Sequence, residues 1–76
     1  MVLADEVVLK PRLEYAHMYA DDLSTIIGEF HPDVIGYTIP GQRHHLWHTF
    51  QRVLTAEAWG WVSVDCLLLR GGEGSR

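Results

Sequence analysis

From Gln42 to Ala58 the chain reads QRHHLWHTFQRVLTAEA, and the periodicity of this stretch decides the fold. Leu46, Trp47, Phe50, Val53 and Leu54 recur at helical spacing, so a helix would gather them on one apolar face. Gly60 stands where such a helix would end. The expectation is a helix over about residues 42–58, entered from a Pro40-Gly41 turn.

Before that turn, Ile35, Tyr37 and Ile39 alternate with Gly36 and Thr38, which predicts a strand over Val34 to Ile39. His31-Pro32-Asp33 closes the preceding segment, because Pro32 cannot continue a helix and keeps His31 out of the α region. In that segment Leu13, Ala16, Ala20, Leu23, Ile27 and Phe30 are three or four residues apart and predict a helix from about Arg12 to Phe30. A rival pattern is present. Leu9, Leu13, Tyr15 and Tyr19 fit a strand ending near Asp21-Asp22, with only Asp22 to Phe30 helical and Asp21 or Asp22 as its N-cap. The longer helix is the preferred reading. Val7-Val8-Leu9 is a short β-prone run that Pro11 ends. After Gly60, Trp61 to Arg70 reads as a strand. Val62, Val64, Cys66 and Leu68 share one face of it, and Trp61, Ser63, Asp65, Leu67 and Leu69 the other.

The order β-α-β-α-β predicts an α+β fold: a two-layer single domain over residues 1–70, its short sheet covered on one face by two helices. Residues 71–76, GGEGSR, read as a flexible Gly-rich tail.

The chain has 76 residues, 47% of them apolar and 21% charged, with a net charge of −4. This composition is that of a folded domain and disfavours a protein held mainly by phosphate contacts, so nucleic acid is not an expected partner. The single cysteine, Cys66, excludes an internal disulfide. With no basic N-terminal stretch and no apolar run of spanning length, the expected location is cytoplasmic, without membrane contact.

The histidines are the first candidates for chemistry. His44 and His48 are four apart and on a helix would offer two imidazoles to one metal ion, with His31 or His17 as a further ligand. The bland reading is a solvated helix face. Tyr19-Ala20-Asp21-Asp22 is similar to the Tyr-x-Asp-Asp motif of reverse transcriptases. Four residues cannot supply a polymerase palm, so the pair is read as an exposed acidic face or an N-cap. No Gly-x-Ser-x-Gly elbow surrounds Ser24, Ser63 or Ser75, and Cys66 falls among the apolar residues of its strand, where a thiol behaves as a small hydrophobe. The Gly-rich tail lacks the Lys-Ser/Thr pair of a P-loop. His31, Asp33, Tyr37 and His44 are the acid/base candidates of an enzyme completed across a dimer, and nothing in their spacing distinguishes them from chance.

Three Trp, three Tyr and two Phe are more large apolar surface than so small a core easily covers. The expected function is a small, non-enzymatic protein-interaction module that self-associates: an adaptor, inhibitor or assembly factor, a profile shared by phage and mobile-element accessory proteins. Its expected interface is Trp59, Trp61, Leu67, Leu69 and Trp47. The alternative is a metal-binding module built on His44 and His48 with His31. No cofactor is expected.

Overall fold

The structure is a computed structural model and describes residues 5–69; the expected tail at 71–76 lies outside the described residues. The strands are β1 (Glu6–Leu9), β2 (Ala16–Tyr19), β3 (Ile26–Phe30), β4 (Gly36–His45), β5 (His48–Leu54), β6 (Trp59–Ser63) and β7 (Leu67–Leu69). A single 3₁₀ turn, Val64–Cys66, separates the last two. All seven form one antiparallel sheet in the order β3-β2-β6-β5-β4-β1-β7.

Over the described residues the chain is therefore all-β rather than α+β, and no helix among them covers the sheet. The segment read as a first helix forms β2 and β3. The segment read as a second helix forms the end of β4 and all of β5. The sheet covers itself by curling. Val7 and Leu9 of β1 belong to one buried cluster with Met18 of β2 and Phe30 of β3, although three strands lie between β1 and β2 in the sheet. Val53 and Val62 complete this concave-side core from the central strands. Phe50 and Trp61 belong to the convex face instead, where Leu23 folds over them and Tyr19 packs alongside.

Gly36 lets β4 approach Phe30 closely. A Cβ there would stand 2.5 Å from Val53 Cγ1 and 3.1 Å from the Phe30 ring, so only glycine permits this approach. The Pro40-Gly41 turn expected from sequence is a bulge within β4. The register slips between Ile39 and Gln42, and Gly41 takes φ +114. The bulge leaves carbonyls without ladder partners, and the buried Gln51 amide donates to Ile39 O at 2.7 Å and Gly41 O at 3.3 Å.

Beyond the bulge the β4–β5 hairpin projects as an arm. β1 pairs with β4 only at Gly36 and Tyr37, and β6 leaves β5 at Phe50. His44, His45, His48 and Thr49 pair only across the hairpin, and every residue from Pro40 to His48 is exposed.

Candidate interaction surface

The two-residue spacing of Trp59 and Trp61 puts both on the convex face of β6, and register continues that face across the sheet. Arg52 stands opposite Trp61, Leu54 opposite Trp59, and Tyr19 flanks Trp61 from β2. Arg43 faces Phe50 from β4. The result is an alternating stack of cations and rings. The Arg52 guanidinium lies 5.3 Å from the Trp59 ring centre and 5.0 Å from that of Trp61, and Arg43 lies 5.5 Å from Trp61. Such contacts contribute about 0.5–1 kcal/mol each when exposed and ~2 when desolvated.

Asp21 anchors the stack. Its Oδ1 accepts the Trp61 indole N–H at 2.8 Å and stands 3.8 Å from Arg52 Nη2, while its carbonyl accepts from Arg43. Asp22 builds the turn that holds Asp21 in place. Its carboxylate accepts from the Ser24 and Thr25 amides at 2.8 Å and from the Thr25 hydroxyl at 2.7 Å. These donors, those of Thr25 foremost, lower the Asp22 pKa to about 2. The acidic pair is thus part of a turn, and its neighbour Leu23 takes φ +57 to reach the Phe50–Trp61 cluster.

A row of rings crosses the same face. His31, Tyr15, His17, Tyr19, Phe50 and His48 follow one another with centroids 5.3–6.3 Å apart. The row ends at the arm, whose two-residue tip is Leu46 and Trp47. Leu46 is 80% exposed and Trp47 92%, and Leu46 takes φ +57, a region bulky residues seldom adopt.

The structure brings together only part of the expected interface. Trp59 and Trp61 are neighbours on the convex face, and Trp47 is at the arm tip. Leu67 and Leu69 are elsewhere, on β7 beside β1. The 3₁₀ turn at Val64–Cys66 interrupts the long strand read from Trp61 to Arg70, so the alternation does not carry through. The helical His44–His48 pair is likewise undone. His48 faces His45 across the arm, whereas His44 pairs with Thr49 on the opposite face, its Nδ1 2.8 Å from the Thr49 hydroxyl. His31 is 3.1 Å from Glu29 Oε1. Among the described residues no three His, Cys, Asp or Glu side chains gather as a metal site would require. Cys66 is half-buried, and burial first, then the Asp65 charge, push its thiol pKa up, against an opposing effect of Lys10. The roles of Arg52 and Arg43 in one stack were missed by the sequence reading. Two-residue spacing puts Phe50, Arg52 and Leu54 on one strand face, but only the register between strands sets Arg52 against Trp61 and Arg43 against Phe50.

Two grooves flank these features. One, of about 610 Å³, lies between the β3–β4 and β5–β6 connections and carries Glu29, Asp33 and Glu57 above Val34, Ile35 and Leu54. The other, of about 420 Å³, lies at the root of the arm and is walled mainly by Val7, Val64, Leu67 and Leu69. Among the described residues no helix is long and apolar enough to cross a membrane. Compared with protein-family models, curated proteins and solved structures, the chain matches none.

Proposed function

We propose that this chain is a non-enzymatic, cytoplasmic protein-interaction module, an adaptor, inhibitor or assembly factor, and that it self-associates. The observation that carries the reading is the projecting arm, whose tip presents Leu46 and Trp47 almost wholly to solvent. An isolated two-stranded ribbon is marginal in water, and the indole at its end packs on none of the described residues. Trp, Tyr and Arg, the residues most often found as interface anchors, make up the adjoining convex face.

The test is site-specific photo-crosslinking. A benzophenone side chain replaces Trp47, or Glu14 as an exposed control, and the protein is irradiated pure and in lysate of its own source. Discrete protein adducts from position 47 and not from position 14 are the expected result. Equal, diffuse labelling from both positions would sink the reading.

A further inference from the structure

The apolar groove at the root of the arm and the apolar tip at its end are complementary. The groove's walls are Val7, Val64, Leu67 and Leu69, with the Gln42 and Gln51 amides closing the end nearest the arm. Among the described residues, none of those lining it is charged. The tip is a leucine beside an indole, equally free of charge, with Trp47 92% exposed. The other large groove suits this tip poorly, because seating it there would desolvate Glu29, Asp33 and Glu57.

Placement supplies the second argument. The Gln42–Gln51 rung marks the root of the arm and the His45–His48 rung its end, three residues further on. At about 3.4 Å per residue, root and tip are separated by roughly 10 Å. The arm cannot reach its own root, since its two strands pair up to the final rung. A two-fold axis through the middle of the arm lays two arms antiparallel and carries each tip to the other's root. Both halves of the contact are then used twice, and the assembly closes at two copies.

We infer that the partner of the arm is a second copy of this chain, with Trp47 of each protomer seated in the groove between β7 and the arm root of the other. This rests on the reading of the arm as a protein-binding element and names its occupant. Two indoles bury on the order of 300–500 Å² of their own surface. A stable interface needs ~1,200 Å² in total, so the groove walls and the apposed ribbons have to supply the remainder.

The experiment is a complementation. Trp47→Ala removes the tip and leaves the groove. Leu69→Asp, at a residue 60% exposed, spoils the groove and leaves the tip, and Val64→Asp is a second groove variant should Leu69→Asp not fold. Circular dichroism checks each fold, and native mass spectrometry with light scattering reads assembly over a concentration series. The wild type is expected to be a dimer. Each variant alone has no intact contact and dissociates at least ~30-fold more readily. An equal mixture restores one intact contact per heterodimer, so it dimerises more tightly than either variant. A wild-type dimer unaffected by both substitutions overturns the inference and leaves self-association through another face. A monomeric wild type whose position-47 crosslink captures a different protein also overturns it, while the arm stands as a binding element.

Discussion

Replacing Gly36 with alanine tests the curl of the sheet. The new methyl would sit 2.5 Å from Val53 Cγ1 and 3.1 and 3.3 Å from two Phe30 ring carbons, where relaxed carbon contacts are ~3.5–4.0 Å. Both neighbours are 0% exposed, so neither has open space to move into. Overpacking of this kind costs about 1–3 kcal/mol. Against it, alanine restricts the unfolded chain and returns about 0.4–1 kcal/mol, because the backbone at Gly36 is one L-residues adopt. A 2.5 Å contact puts the cost in the upper half of that range, so the net loss is about 1–2.5 kcal/mol, which for a domain of this size lowers the melting temperature by roughly 5–20 °C. Gly28→Ala is the matched control, since its methyl meets only Met18 Sδ at 3.8 Å, an ordinary contact. Thermal and urea unfolding followed by tryptophan fluorescence give both values. Pairing Gly36→Ala with Val53→Ala should cost less than the sum of the two, because the added methyl occupies part of the space the removed one leaves. Equal stability of the Gly36 and Gly28 variants, or strict additivity in the pair, would refute a close approach of β4 to Phe30 across the concave side.

Gln51→Leu should lose about 1–3 kcal/mol in urea unfolding, because the bulge carbonyls of Ile39 and Gly41 lose their amide donor, while Gln42→Leu at an exposed position should lose less. The Asp22 carboxyl, lowered from 3.8 to about 2, adds stability that is fully present above pH 3.8 and lost as pH falls through about 2. Asp22→Asn should flatten that part of a stability-against-pH curve, and an unchanged acid limb would show that the Asx turn is not formed. Cys66 should react with iodoacetamide more slowly in the native protein than in urea at the same pH, since burial and Asp65 raise its pKa. Equal rates would mean that the thiol is not shielded.

Strands were legible where Pro or Gly bounds a short apolar run. Val7-Val8-Leu9 and part of Val34 to Ile39 fall on strands, and the run from Trp61 falls on two short ones with the Val64–Cys66 turn between them. The helix readings failed where both faces are covered. β5 buries Val53 on the concave side and Phe50 on the convex side, so its apolar residues lose the two-residue alternation and imitate a helical spacing. The hairpin itself gave no warning. Its tip has none of the Gly, Asn or Asp that two-residue hairpin loops favour, and Leu46 takes the positive φ instead. β2 and β3, four and five residues long, are too short for periodicity to separate from one amphipathic helix, and the rival strand reading that stopped near Asp21-Asp22 came closer. Of the candidate surface, Trp59 and Trp61 could be paired from spacing alone. The contributions of Arg43, Arg52 and Asp21 needed the register between strands far apart in sequence.

The pairing of β1 with β7 ties the start of the described chain to its end, with Val7 opposite Leu69. During synthesis, β1 leaves the ribosome first and must wait for the last strand before its outer edge is closed. Hairpins β2–β3 and β4–β5 can form meanwhile, since each needs only adjacent chain. The nascent protein therefore carries an open Val7-Val8-Leu9 edge until translation has passed Leu69, and a transcript cut short before that codon yields a sheet with β1 left unpaired on one side.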